Sequence, residues 1–172
     1  THEVIEFAFD WRRPIEEEAR RLAGAVEQAL DARAASGQPV RLLAHSMGGL
    51  VARTMQLERP ATWQRLMAHP GARVLMLGTP NGGSWAPMQV LSGDDTFGNT
   101  LVSFGGLFDD AGTRKVMAAM PGFIQLQAAL TRWGWLPRDF GPRYLWVNVP
   151  GGSLELVEDG TTGRLFTPGD AV

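Results

Sequence analysis

Val40-Arg41-Leu42-Leu43-Ala44-His45-Ser46-Met47-Gly48-Gly49-Leu50-Val51-Ala52-Arg53 is the stretch on which the fold turns. Val40 to Ala44 is a brief apolar run of the kind buried in a parallel sheet. Gly48 to Leu57 suits a helix that ends before Pro60. Between the two stands a serine, with Ala44 two residues before it and Gly48 two residues after. When a strand turns this sharply into a helix, the positions on either side of the tip approach each other and only small side chains fit. A serine at the tip presents its hydroxyl at the carboxyl end of the sheet. The helix N-terminus brings N–H groups and a positive dipole to the same place, where an oxyanion would develop. A small-x-Ser-x-Gly pattern also fits a serine that merely caps an ordinary helix. The strand before and the helix after are the context that selects a nucleophile. Ser46 is the candidate nucleophile, and the Met47 N–H is a candidate oxyanion donor.

The flanking sequence alternates in the same way. Glu3 to Phe9 is β-rich and reads as a strand, broken by Asp10-Trp11-Arg12-Arg13-Pro14. Pro14 suits a first helical turn, and Glu16, Glu17 and Glu18 suit the positive end of a helix dipole. Ala19, Leu22, Ala23, Val26 and Leu30 then recur at helical spacing until Gly37 and Pro39. A short helix is expected over Ala61 to Ala68, and Arg73 to Leu77 is a second buried-strand run. Strand, helix, strand, helix, strand predicts an α/β fold: a mostly parallel sheet with helices on both faces and right-handed crossovers. Beyond Asn81 the rhythm stops. Helices are expected over Thr113 to Ala119 and Phe123 to Trp133, and strand character returns at Arg143 to Val149. Residues 84–142 therefore read as a largely helical, lid-like insertion within one partial domain spanning 1–172, because a connection that long is usually a functional element.

Composition sets the outer bounds. With 172 residues, 44% apolar and 20% charged, the chain suits one compact domain. A net charge of −2 gives no footprint for nucleic acid, so no nucleic-acid partner is expected. There is no cysteine, so thiol catalysis is excluded. No transmembrane segment is expected, since no apolar run approaches the roughly 18 residues of a membrane span. Neither metal-ligand spacing nor a phosphate-cradling glycine loop is present, so no cofactor or metal is expected.

Ala44-His45-Ser46-Met47-Gly48-Gly49-Leu50-Val51-Ala52-Arg53 resembles the nucleophile elbow of bacterial lipases and of lecithin–cholesterol acyltransferase-like hydrolases, with Ala44 in place of the usual first glycine. Gly78-Thr79-Pro80-Asn81-Gly82-Gly83-Ser84 is similar to the Gly-Thr-Pro-x-x-Gly-Ser loop after the next strand in those families. Asp10-Trp11-Arg12 resembles the Asp-Trp-Arg that ends the preceding strand in the acyltransferase-like group. Met120-Pro121-Gly122-Phe123-Ile124-Gln125-Leu126 is similar to their lid segment. Residues 3–84 carry nearly all of the resemblance. It implies an α/β-hydrolase fold, incomplete in this chain, and serine-dependent hydrolysis or acyl transfer on an ester or lipid substrate.

Such chemistry needs a base for the serine proton and an acid to orient it, in the chain order Ser, Asp or Glu, then His. Thr167-Pro168-Gly169-Asp170-Ala171-Val172 resembles the Gly-Asp-x-x-Val segment that carries the acid in the acyltransferase-like group, which makes Asp170 the candidate; Asp139, Glu158 and Asp159 compete with it. His2, His45 and His69 all come too early to be the base. The base, and a second oxyanion donor, are therefore expected in further sequence of the same parent protein. Trp85, Phe97, Phe104, Phe108, Phe123, Trp133, Trp135 and Phe140 fall in or near the insertion. They fit either its own small core or an apolar groove for an acyl chain. Three readings stay open: a lipase or esterase, an acyltransferase of the same fold, and a non-catalytic hydrolase-like binding module within a larger protein.

Overall fold

A computed structural model describes residues 3–93, 110–132, 143–148, 153–158 and 161–166, with side-chain environments over 3–93 and 111–127. The chain forms two compact units: Thr1–Phe9, Glu16–Pro80 and Pro137–Val172 in the first, Asp10–Ile15 and Asn81–Leu136 in the second.

The first unit carries the sheet. Helix α1 (Ile15–Arg33) opens with three glutamates and buries Ala19, Leu22, Ala23, Val26 and Ala29 on one stripe. Strand β1 (Arg41–His45) leads into α2 (Met47–Glu58), then α3 (Pro60–Met67) and β2 (Arg73–Leu77). Pro60 begins α3, where its missing N–H costs nothing. Leu50, Met55, Leu66 and Met76 are fully buried, and each contributes about 1.5–3 kcal/mol. β1 pairs parallel with β2, placing Ala44 beside Met76 and His45 beside Leu77. β2 pairs parallel with β3 (Arg143–Asn148), and β4 (Ser153–Glu158) and β5 (Thr161–Phe166) then add two antiparallel pairings. The sheet, in the order β1-β2-β3-β4-β5, is thus mixed, with a parallel part limited to β1, β2 and β3.

One expectation meets a different outcome here. Glu3 to Phe9 has strand-like composition but no strand hydrogen bonding. Ile5 and Phe7 line one wall of a cavity of about 500 Å³ whose other walls include Leu22 and Val26 of α1, and Val40 and Leu42. That gap separates the segment from β1, and an extended chain without a pairing edge is not a strand. The two faces of the parallel part differ in exposure. Val74 and Met76 are buried, whereas Leu43, on the other side of the pleat, is 70% exposed.

The second unit is helical over its described residues: α4 (Ala86–Ser92), α5 (Asp110–Ala118) and α6 (Pro121–Arg132). Its core joins Val90, Met117 and Phe123, with Leu91, Met120 and Ile124 packed against them. The Asp10–Pro14 turn belongs to the same unit and clasps the start of α6. The Gly122 amide donates to the Arg12 carbonyl at 3.2 Å. Trp11 meets Phe123 edge-on with ring centroids 6.1 Å apart. Ile15 N–H donates to Gln125 Oε1 at 2.8 Å. Within the turn, Arg12 donates from Nε to Asp10 Oδ1 at 2.8 Å and from its terminal nitrogen to Oδ2 at 2.7 Å. These hydrogen bonds hold the Asp10 carboxyl down from 3.8 to about 2.

The clasp leaves no room at Gly122. A Cβ there would lie 2.2 Å from the Trp11 carbonyl oxygen and 2.3 Å from that of Arg13, both backbone atoms that cannot swing away. Gly122→Ala is expected to destabilise the protein by about 1–3 kcal/mol; a urea midpoint equal to wild type would contradict the clasp. The Asp10 pKa has its own consequence. A depressed carboxylate contributes stability above its unfolded value near 3.8 and loses it as pH falls toward about 2. NMR titration of Asp10 should give a midpoint near 2, moving up toward 3.8 in Arg12→Ala.

Candidate active site

Ser46 stands where β1 becomes α2, and it is exposed. Its backbone has φ 52° and ψ −128°, and it is the non-glycine residue with positive φ among the described residues. An ordinary N-cap sits in the β region and accepts an N–H with its side-chain oxygen. Ser46 does neither: its side chain makes no capping hydrogen bond. The serine hydroxyl is therefore not spent on the helix it precedes.

The strain at this position, of order 1–3 kcal/mol, is held by named contacts. Ser46 N–H donates to the Leu77 carbonyl at 2.8 Å, tying the turn to the end of the neighbouring strand. Ser46's own carbonyl accepts from Gly49 N–H at 3.1 Å, closing the first turn of α2. Leu50, Val51 and Met55 then bury behind it. No acidic residue lies in the first turn of α2, so its positive end is not neutralised locally. Met47 is buried, and its N–H belongs to the first turn, where amides have no partner within the helix.

Sequence reasoning placed the steric demand at Gly48. A Cβ on Gly48 would be 3.6 Å from Phe9 Cε1 and 3.9 Å from Ala44 Cβ, which is ordinary contact. The two flanking positions do approach, but one methyl fits. Gly49 is the demanding position: a Cβ there would lie 2.0 Å from Thr79 Oγ1 and 2.8 Å from Thr79 Cβ. Thr79 follows Gly78, whose φ of +57° turns the chain out of β2. The Gly-Thr-Pro loop was visible in the sequence as a resemblance, without a role attached to its threonine.

The histidines separate by their contacts. His69 is committed to its own turn: Nδ1 accepts from Gly71 N–H at 2.9 Å, and Nε2 lies 2.9 Å from the Gly37 carbonyl. The second bond fixes the proton on Nε2, so neither ring nitrogen is left for a serine. His45 is exposed at the last position of β1. Asp170, Asp139 and Asp159 lie outside the described residues, and Glu158 ends β4. Of the aromatic residues, Phe123 is in the second unit's core and Trp85 is 65% exposed. The others lie outside the described residues. No group of His, Cys, Asp and Glu able to hold a metal occurs among the described residues. No described helix is long and apolar enough to cross a membrane.

The family that residues 1–121 match implies an α/β-hydrolase-like fold, and the described helices and small parallel part of the sheet accord with it. That match is to the family model described as lecithin:cholesterol acyltransferase, and the chain belongs to that family. Over 98 residues it is 37% identical to the phosphatidylcholine-sterol acyltransferase of Rattus norvegicus and 38% identical to those of Homo sapiens and Oryctolagus cuniculus. Each match covers 55% of this chain and 21% of the relative's length, so the chain corresponds to about a fifth of these relatives. No solved structure matches.

The geometry at Gly48 makes a graded prediction. Gly48→Ala should leave stability within about 1 kcal/mol of wild type, because contact distances are ordinary and alanine favours the helix. Gly48→Val adds two methyls to a Cβ already touching Phe9 and Ala44, and should cost about 1–3 kcal/mol. Equal denaturation midpoints for the two variants would contradict this packing.

Proposed function

We propose that the protein carries out acyl transfer on a lipid-like ester through an acyl-enzyme on Ser46, within a complete α/β-hydrolase domain of which these residues are part. The observation that carries this reading is the state of Ser46: exposed, at φ 52°, with a hydroxyl that does not cap the helix behind it. Strained backbone clusters at sites where a side chain must be presented.

In the proposed reaction a base removes the Ser46 hydroxyl proton as Oγ attacks the ester carbonyl carbon. The carbonyl oxygen takes the electron pair and rests partly on Met47 N–H and the positive end of α2. Collapse of the tetrahedral adduct breaks the ester C–O bond, and the base returns the proton to the departing alcohol. Water or a second alcohol then attacks the acyl-enzyme, which gives hydrolysis or acyl transfer and restores Ser46. Asp170 is proposed as the acid that orients the base, on its resemblance to the family segment alone. The base is proposed to be a histidine elsewhere in the protein, a reading supported by the engagement of both nitrogens of His69. The relatives' name, phosphatidylcholine-sterol acyltransferase, supports a phospholipid acyl donor and a sterol-like acceptor. Residues 84–142 are proposed as a lid-like insertion for an apolar chain. Its support is the second unit's separate small core and the exposure of Trp85 and Met88.

The test uses the protein in its complete natural form. A fluorophosphonate probe should label wild type and not Ser46→Ala. Turnover of a short-chain p-nitrophenyl ester should fall by about a thousandfold or more in Ser46→Ala, as loss of a nucleophile costs orders of magnitude in related chemistry. A folded protein that neither labels nor turns over any ester sinks the enzyme reading in favour of a binding module.

A further inference from the structure

The loop leaving β2 touches the Ser46 turn twice. Leu77 fixes the serine amide through its carbonyl, at 2.8 Å. Two residues later, Thr79 fills the space over Gly49, three residues beyond the serine. Building a Cβ on Gly49 brings it to 2.0 Å from Thr79 Oγ1, 2.5 Å from Cγ2 and 2.8 Å from Cβ. Every heavy atom of the threonine side chain thus faces the glycine. Thr79 is 2% exposed, and its hydroxyl has no hydrogen-bond partner among the described residues. These approaches are steric, so what the position presents to Gly49 is the shape of the side chain, a branched Cβ. The only features between the two contacts are Gly78, with its φ of +57°, and one peptide on either side. Leu77 and Thr79 are therefore coupled, and together they hold the turn before and after the serine.

We infer that Thr79 is a positioning residue for Ser46: its side chain, seated against the bare Cα of Gly49, sets the angle at which α2 begins and so the direction in which the serine hydroxyl and the Met47 N–H are presented. This rests on the reading of Ser46 as the nucleophile. Thr79 is too deeply buried to touch substrate, and its effect passes through α2. A shift of the first turn of α2 misaligns Oγ and the oxyanion donor together, which lowers the rate of the chemical step and leaves substrate binding largely alone.

The experiment compares five variants of the complete protein: Ser46→Ala, Gly49→Ala, Thr79→Ala, Thr79→Val, and Gly49→Ala combined with Thr79→Gly. Each is measured for kcat and KM on a p-nitrophenyl ester, for the rate of Ser46 phosphonylation by a fluorophosphonate, and for melting temperature. Gly49→Ala should lower kcat and phosphonylation at least tenfold with KM within about twofold. Adding Thr79→Gly should recover at least half of that loss on a logarithmic scale, because it removes all three clashing atoms. Thr79→Val keeps the branched shape and should stay within about twofold of wild type, whereas Thr79→Ala should fall several-fold below it. A double variant no better than Gly49→Ala overturns the proposal. So does a Thr79→Val as impaired as Thr79→Ala, which would assign the role to the hydroxyl. If Gly49→Ala does not fold, the comparison of Thr79→Val with Thr79→Ala decides alone. Full turnover by Ser46→Ala brings down the nucleophile reading and this inference with it. Loss of turnover in Ser46→Ala without the Gly49–Thr79 coupling brings down the inference only.

Discussion

The hydrogen bond from Ser46 N–H to the Leu77 carbonyl, 2.8 Å long, is the constraint on which the local architecture rests. A residue with a Cβ at φ 52° and ψ −128° is unstable by itself by about 1–3 kcal/mol. One hydrogen bond, worth about 0.5–1.5 kcal/mol net, does not cover that. The remainder comes from what the bond makes possible. With the turn tied to the end of β2, α2 must start directly above the sheet. Leu50, Val51 and Met55 then bury completely on the same helix. Each such side chain contributes about 1.5–3 kcal/mol. The strained serine is therefore stabilised from the hydrophobic side, several residues away from itself.

The same constraint explains why the elbow contains two adjacent glycines with different duties. Helix propensity favours alanine over glycine by about 0.5–1 kcal/mol at an interior position. At Gly48 nothing opposes that preference strongly, since a Cβ meets only Phe9 and Ala44 at 3.6 and 3.9 Å. At Gly49 a Cβ would meet Thr79 at 2.0 Å, and overpacking of about 1–3 kcal/mol outweighs the propensity. The start of α2 can approach the loop after β2 this closely only with a bare Cα. The two segments of the family resemblance, the elbow and the Gly-Thr-Pro loop, are thus one packed unit made from residues 30 positions apart.

How much of this was legible in the sequence depends on how local the physics is. The turn at Ser46 was legible because strand, serine, small flanking residues and helix are contiguous. Helices α1, α2 and α3 and strands β1 and β2 were legible from periodicity and their Pro and Gly stops. The identity of the restrictive glycine was not, because Thr79 is distant in sequence. The strand expected at Glu3 to Phe9 failed because composition reports a tendency to extend and says nothing about a pairing edge. Strands β4 and β5 had a signal that passed unread: the runs Ser153–Glu158 and Thr161–Phe166 flank Asp159-Gly160, a pair favoured in tight hairpins. Helix α4 was hidden in a Gly- and Ser-rich stretch, although Pro87 in its first turn and Gly93, at φ 85°, at its end are ordinary helix punctuation.

The clasp in the second unit adds a further step. Asp10-Trp11-Arg12 and Met120-Pro121-Gly122-Phe123 are weak matches when each is read alone, and they lie more than a hundred positions apart. In space they meet: Gly122 N–H bonds to the Arg12 carbonyl, Trp11 abuts Phe123, and a Gly122 Cβ would strike two backbone oxygens. Asp10, held ionised by the Arg12 side chain and amide, closes the turn that presents those carbonyls. Short motifs of this kind are constrained jointly: a tryptophan whose ring needs an edge-on partner, and a glycine that must lack a Cβ. Neither requirement shows in a single segment. The pair accounts for why a Trp-Arg turn and a Pro-Gly-Phe helix start occur in the same chain, and it does so through contacts internal to the second unit, without appeal to catalysis.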